Sequence, residues 1–466
     1  MNKYKTLALN TTIFAIGSFG AKLVSFFLNY LYTGAMDTGI YNTKEVVELC
    51  ANLLIPIVSF SITDAVIRYG LDRNYEKNAV FSNAVTILLG GLGVFVLLSP
   101  LLQLYADIKP YWLLLMGYIC ISCFRQLSTQ FARVKGMVKL YAADGIFCIL
   151  TLFLCNVLFI SKLKLGVTGF LLSVMISDLL SGLSVWLIAK HYKEFSFRNI
   201  DRELMEVMLR FSLPLIPAAV LWIITGFSDR IFVRHMISDG DAGIYGAAAK
   251  IPNLLSMIST VFYQAWNMSA IAENDSKDRA KFYSRIFNAY QALLVLGAGF
   301  IIAFVKPLSM LVNNTNRFSS YASAYLYTPL LVIAVMLMCY NQFLSSIYTV
   351  SKHTQNSFWT SMIAAVLNLV LNTLLIPRYA VYGAIAATLA SYFVCYIIRI
   401  FDARRYIPFP VAHWRFALNL LILFAMSHLA MNRLPLLYLW QIIALLLLCA
   451  LNFRALLDTA KKLLRR

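Results

Sequence analysis

The sequence predicts an all-α integral membrane protein of about 14 transmembrane helices, arranged as two six-helix lobes related by a parallel repeat and followed by two further helices. Three observations predict it. Hydrophobic residues make up 60% of the 466 and charged residues only 13%, against roughly 25% charged in soluble domains. Apolar runs recur from end to end at the roughly 20 residues that a helix needs to cross a hydrocarbon core of about 30 Å. The two halves of the chain also match each other weakly but in order.

The first run, 10–33, follows Lys3 and Lys5. It is too long for the apolar region of a secretory signal, which covers about 7–15 residues, so it is read as the first span. Five more are expected near 46–68, 79–104, 110–132, 141–161 and 167–189, which gives an N-terminal lobe over 1–189. In 190–209, Ile200, Leu204, Val207 and Met208 recur at helical spacing up to Phe211. That pattern predicts an amphipathic linker helix at the cytoplasmic membrane surface. A second lobe, 210–405, holds spans near 210–233, 243–270, 282–305, 323–350, 357–377 and 381–401. Residues 406–466 add spans near 411–431 and 435–454 and a basic tail. Pro56, Pro214, Pro217, Pro252 and Pro329 fall inside spans, where each removes a backbone hydrogen bond and bends its helix.

The net charge of +19 follows the connections between spans. Of 40 Lys and Arg residues, 27 lie at cytoplasmic ends when the N-terminus is inside, nine in outer loops and four within spans. This bias places both termini in the cytoplasm and needs no nucleic-acid partner. No connection is long enough to fold by itself. The eight cysteines sit in or beside apolar runs, and the CxxC of Cys120 and Cys123 has no second ligand pair, so neither disulfide nor metal site is expected. The reading is of a protein that is not an enzyme and has no bound cofactor beyond a coupling cation or proton.

The repeat is carried by ordered pairs. Gly39-Ile40-Tyr41 recurs as Gly243-Ile244-Tyr245, Asn52-Leu53-Leu54 as Asn253-Leu254-Leu255, and Asn83-Ala84 as Asn288-Ala289. Gln126 and Val134 answer to Gln342 and Val350, and Val167, Gly169 and Ser177 to Val381, Gly383 and Ser391, with an offset that drifts from 201 to 216. Six spans per repeat is an even number, so both halves enter the membrane in the same direction and a cleft between them is expected.

Seven charges fall within the spans: Lys22, Asp64, Arg125, Asp178, Asp229, Arg230 and Lys250. Each costs about 2.5–3.5 kcal/mol at the centre of a helix on insertion scales, which argues for a hydrated cavity or for paired burial. Stripes accompany them. Ser18, Lys22, Ser25 and Asn29 share a helical face, as do Lys250, Asn253, Thr260, Gln264 and Asn267, and Tyr118, Ser122, Arg125 and Thr129. Lys22, Lys250, Arg125, Asn29, Asn253 and Gln264 are therefore candidates for binding an anionic substrate. The neutral members serve equally well as hydrogen-bonded glue between helices. Asp64, Asp178, Asp229 and Arg230 are candidates for gating or for coupling to a proton or cation. Simple salt bridges, Asp64 with Arg68 and Asp229 with Arg230, are the competing reading.

Two stretches resemble the bacterial polysaccharide flippases of the multidrug/oligosaccharidyl-lipid/polysaccharide exporter superfamily. One is Ile16 to Arg68, with IGSFGAKLVSFFL, a GIY, and LLIPIVSFSITDAVIR; the other is Leu213 to Ile271, with LPLIP, FSDR, AGIYGAAAKIPNLL and FYQAWNMSAI. The resemblance implies a bacterial cytoplasmic-membrane flippase. Its substrate would be a polyprenyl-pyrophosphate-linked oligosaccharide, moved by alternating access from the inner to the outer leaflet through a cationic central cavity. It further implies a place in O-antigen, capsule or exopolysaccharide synthesis, with contact to membrane lipid, a polysaccharide polymerase and glycosyltransferases. Lys22, Asp64, Asp229, Arg230 and Lys250 lie within the matching stretches, whereas Arg125 and Asp178 rest on the charge pattern alone. The rival readings are a lipid-linked peptidoglycan precursor flippase, whose substrate is equally anionic, and a multidrug exporter, which would need an acidic cavity. A membrane glycosyltransferase or polymerase would need acidic ligands in an outer loop, where Asp107 stands alone and Asp239 and Asp241 form only a short pair.

Overall fold

In lipid a chain can satisfy its own backbone hydrogen bonds only as helix or closed barrel. The computed structural model is helical throughout the residues it describes, which are 24, 28, 31, 32, 35, 36, 38–72, 74–106, 108–272, 278–313, 323–432 and 436–464. Among these residues ten helices are long and apolar enough to cross a membrane, or eleven when one bent pair is counted as a span. The expected fourteen are not reached within that set, in part because the first expected span, 10–33, lies mostly outside it. The chain divides into two lobes, Leu9–Ala219 and Val220–Arg466.

The first lobe opens with α1 (Thr38–Val58) and α2 (Ile62–Gly70), the single span expected over 46–68. They are bent by 50°. Pro56 removes a ladder hydrogen bond in the last turn of α1, and Phe60 and Ser61 take left-handed φ angles of 53° and 48° at the break. Helix α3 (Lys77–Leu98) runs against this bend. A Cβ on Gly91 would lie 2.1 Å from the Val58 carbonyl oxygen, so only glycine admits the approach. Then follow α4 (Trp112–Val134), α5 (Val138–Asn156) and α6 (Gly166–Ile188), with α6 packed on both α4 and α5.

The linker helix α7 (Arg202–Ser212) starts where the Asp201 carboxylate accepts hydrogen bonds from the backbone N–H groups of Glu203 and Leu204, an N-cap. It buries Leu204, Met208 and Phe211 in the core of the first lobe, against α2 and α3, and leaves Val207 exposed. Lys135 at the end of α4 anchors the preceding turn, donating to the Ala189 carbonyl at 2.6 Å and pairing with Glu194 at 2.8 Å. His191 is buried among Phe81, Phe131 and Trp186, its Nε2 2.9 Å from the Ser128 carbonyl.

Helix α8 (Leu215–Met236) contains the division between the lobes. Beyond it come α9 (Asp239–Lys250) and α10 (Asn253–Ala272), where one span was expected over 243–270. The helix breaks at Ile251 and Pro252, because proline supplies no N–H and its ring displaces the carbonyl one turn back. The rest comprises α11 (Arg279–Ala303), α12 (Val305–Asn313), α13 (Ala324–Val350), α14 (Thr354–Tyr379), α15 (Val381–Tyr406), α16 (His413–Asn432) and α17 (Leu437–Leu464). Aromatic rings fill the core, with Trp266 stacked on Phe343 at 4.7 Å and donating its indole N–H to Ser346 Oγ. The last two helices belong to this lobe. They pack on α11, and Asn419 and Asn452 exchange carboxamide hydrogen bonds of 3.2 and 2.9 Å between them.

The sequence repeat has a structural counterpart inside each lobe. Helices α4 and α13 end on the paired residues Val134 and Val350, and α15 packs on α13 and α14 as α6 packs on α4 and α5.

Candidate functional site

In the first lobe the site forms where α4, α5 and α6 meet. Arg125 on α4 reaches Asp144 on α5 at 3.2 Å and Asp178 on α6 at 3.5 Å, and its Nε donates to Ser181 Oγ at 2.6 Å. Ser181 in turn donates to Asp144 at 2.5 Å, Ser122 donates to Asp178, and the Cys148 thiol lies 3.5 Å from the same carboxylate. Both carboxylates are buried. One guanidinium thus faces two carboxylates, and a group of this composition holds one more negative charge than positive.

In the second lobe Asp229 on α8 is 2% exposed and is surrounded by four neutral donors. Tyr245 on α9 donates at 2.8 Å, Asn368 and Asn372 on α14 at 3.1 and 2.7 Å, and Thr388 on α15 also donates. Asn368 is held in turn by Ser228 and Thr388, each at 3.0 Å. Asn368 and Asn372 are four residues apart, one turn of α14, which presents both carboxamides to the same carboxylate. Neutral dipoles solvate a buried charge without cancelling it. The Oδ1 atom of Asn372 has no hydrogen-bond partner among the described residues. A carboxylate, two carboxamides and a hydroxyl make an oxygen-rich set of the kind that hard cations accept, and the same carboxylate can instead take a proton.

The other sequence candidates are spread more widely. Lys22 and Asn29 lie outside the described residues. Lys250, Asn253 and Arg230 are exposed on the second lobe, and Gln264 is half-buried. The break at Pro252 separates Lys250 from Asn253, so the expected continuous stripe is divided between α9 and α10. Neither expected neighbouring salt bridge forms. Arg68 turns away from Asp64 to meet Asp72 at 3.2 Å, while Asp64 stays exposed in the first turn of α2. Arg230 is exposed and lies along Gly246 of α9, beside the Tyr245 that donates to Asp229, and makes no ion pair with its neighbour.

Four features escaped the sequence reading. Asp144, the second partner of Arg125, sits at the edge of an expected span and passes for an interfacial residue. Lys44, assigned to an outer loop, is 3% exposed, bonded to Glu48 and set over the rings of Tyr32 and Phe170 at 4.7 and 4.9 Å. Arg399, counted among the cytoplasmic charges, is fully buried and donates to Thr360, Asn341, Ser357 and Ser361. The spacing of Asn368 and Asn372 was visible in the sequence as a polar pair within an apolar run, but nothing linked it to Asp229.

Comparison with known proteins places the chain in a family. The model of the polysaccharide biosynthesis protein family matches residues 7–267. An uncharacterized membrane protein of Methanocaldococcus jannaschii is 25% identical over 262 residues, which span 53% of this chain and 60% of that protein. Among solved structures, an outward-facing multidrug resistance MATE family transporter of the MOP superfamily superposes with a TM-score of 0.74 over 88% of this chain and 96% of its own, at 14% identity. A MATE transporter of Vibrio cholerae gives 0.74 over 86% and 96%, at 12% identity. A MOP superfamily transporter of Pyrococcus furiosus, described as having a binding pocket of reverse polarity that suggests a different function, gives 0.70 over 86% and 96%, at 13% identity. These likenesses establish that the chain shares the multi-helix fold of those solved transporters, and with over half of its length matched by the family model, the chain belongs to the polysaccharide biosynthesis protein family.

Proposed function

We propose that this protein is a flippase that exports a polyprenyl-pyrophosphate-linked oligosaccharide repeat unit from the inner to the outer leaflet, using a cation or proton held at Asp229 to drive the conformational cycle. The family match over 7–267 supports a substrate drawn from polysaccharide synthesis. Charge supports it: the chain has 40 basic against 21 acidic residues, and Lys250 and Arg230 stand exposed while the acidic Asp144, Asp178 and Asp229 are buried within helix packing. A pyrophosphate needs accessible cations. An exporter of cationic drugs needs accessible carboxylates, and of Asp64, Asp144, Asp178 and Asp229 only Asp64 is exposed, so the multidrug reading is the weaker one despite the shared fold. Asp229 suits coupling because its donors come from α9, α14 and α15, so that neutralising it changes what ties those three helices to α8.

The test is complementation of a flippase-deficient strain, with membrane levels measured in parallel. Lysine acts as a compact point charge, so Lys22→Arg and Lys250→Arg should retain partial export, Lys→Ala should lose most of it, and Lys→Glu all of it. Normal export by both Lys→Glu variants at normal membrane levels would refute the cationic pathway. Asp229→Asn should insert normally and, in proteoliposomes, flip at a rate that no longer responds to an imposed ion or pH gradient. An unchanged gradient response would remove Asp229 from the coupling role.

A further inference from the structure

The segment that joins α6 to the linker helix carries aromatic side chains on its outside. Tyr192 is 52% exposed and Phe197 78%, while the apolar stripe of α7 itself, Leu204, Met208 and Phe211, is buried in the lobe. This exposure does not come from a loose loop. Lys190 takes a left-handed φ of 54° at the end of α6, and two short 3-10 turns follow, His191–Lys193 and Phe197–Asn199. The Ser82 hydroxyl of α3 donates to the Glu194 carbonyl at 3.5 Å and accepts from the Ser196 N–H at 3.2 Å, and Asn83 Oδ1 accepts from the Asp201 N–H at 3.3 Å. Phe195 packs against the core of the lobe and meets Phe197 edge to face at 5.0 Å, so one ring of the pair is turned inward and the other outward.

The depth of the segment indicates what meets these rings. Ser82 and Asn83 lie five and six residues after Lys77, the first residue of α3, hence roughly 8 Å along a helix that is long and apolar enough to cross the membrane. A backbone bonded to them runs beside the end of a span and not beyond it. Leu187 and Ile188, at the end of α6 just before the turn, are 63% and 59% exposed, so the apolar surface of a second span continues into Tyr192 and Phe197. Lys190, Lys193 and Arg198 are exposed among these rings, whereas Glu194 is taken by Lys135 and Asp201 caps α7. At the end of a span, rings seat between headgroups and acyl chains, and basic side chains reach the phosphates. A soluble partner would need room beside the span, which lipid fills. We propose that residues 190–199 form a rigid membrane anchor, with Phe197 and Tyr192 seated at the boundary between headgroups and acyl chains and Lys190, Lys193 and Arg198 on anionic lipid headgroups. By the charge bias of the loops the leaflet is the cytoplasmic one.

The experiment uses the full-length protein without its native cysteines, carrying one nitroxide label after Phe197→Cys or Tyr192→Cys, in vesicles of phosphatidylcholine and phosphatidylglycerol. Electron paramagnetic resonance reads how often the label collides with oxygen, which concentrates among acyl chains, and with a nickel chelate, which stays in water. Labels at the exposed Leu187 and Asn74 supply the lipid and water references. At 192 and 197 the ratio of oxygen to nickel collisions should exceed that at 74 several-fold and approach that at 187. Collision mainly with nickel would put the segment in water and overturn the anchor. Protection from both reagents would overturn it as well, by placing a protein surface such as a second copy on the rings. In vesicles of phosphatidylcholine alone the ratio should fall by about twofold or more, and an unchanged ratio would refute the contact with anionic headgroups. The two positions are independent, so Tyr192→Cys decides the matter if Phe197→Cys fails to insert.

Discussion

Arg125 is worth more to the first lobe than a surface cation would be, because its removal strands two buried carboxylates. Taking away one partner of a buried ionic group typically costs about 3–5 kcal/mol. Arg125→Gln should therefore lower the melting temperature sharply in detergent, and adding Asp178→Asn should recover part of the loss by removing one of the stranded charges. A double variant as unstable as the single one would show that the carboxylates are not the cause. His191 makes a different demand. Burial, helped by the nearby Lys135, pushes its pKa down from 6.5 to about 4, against the opposing pull of the Ser128 carbonyl and Glu194. The folded state thus keeps the ring neutral while the unfolded chain takes up a proton below pH 6.5. The stabilisation this implies is complete above pH 6.5 and is lost progressively as the pH falls toward 4, by on the order of 3 kcal/mol. His191→Gln should flatten that part of the stability-pH curve, measured as melting temperature between pH 7.5 and about 4. An unchanged slope would mean that carboxylates account for all of it.

The bend between α1 and α2 is an element-scale feature in which sequence and packing had to agree. Pro56 announces a kink, but the left-handed Phe60 and Ser61 at the break are tolerated because α3 closes against it, and α3 can do so only through Gly91. Gly91→Ala should cost about 1–3 kcal/mol by overpacking, since the obstacle is a backbone carbonyl with nowhere to move. Gly93→Ala, two residues on with nothing within 4 Å of the added methyl, should be neutral or stabilising by up to about 1 kcal/mol from helix propensity. Equal effects at the two positions, read from thermal melts, would show that propensity and not the close approach governs α3. The break in the eighth expected span has the same origin at Pro252. The linker helix shows the limit of periodicity: its apolar stripe was legible, but that the stripe packs against α2 and α3 was not, because periodicity does not name the surface a stripe meets.

For the whole molecule the decisive prediction is topology, because the 27 to nine distribution of basic residues read from the sequence predicts the direction of every span. In a background without the native cysteines, single cysteines at Asn199 and Ser276 should resist an impermeant thiol reagent in intact cells, while those at Ser238 and Asn314 should react. Labelling at Asn199 from outside would invert the orientation and with it the direction of transport proposed here. Helicity, membrane residence and the internal repeat could all be read from the sequence, because each depends on composition or periodicity summed over many residues, and such sums tolerate local error. Arg125, Asp178 and Asp229 were visible for the same reason, since a charge inside an apolar run stands out wherever it points. Which charges meet was a question of tertiary structure alone. Asp144 joins Arg125 across helices, Asp229 turns from its neighbour Arg230 toward residues about 140 to 160 positions away, and Arg399 withdraws from the loop count into the core. Burial and pairing depend on helix rotation and on contacts between distant segments, and a one-dimensional pattern of hydropathy carries neither.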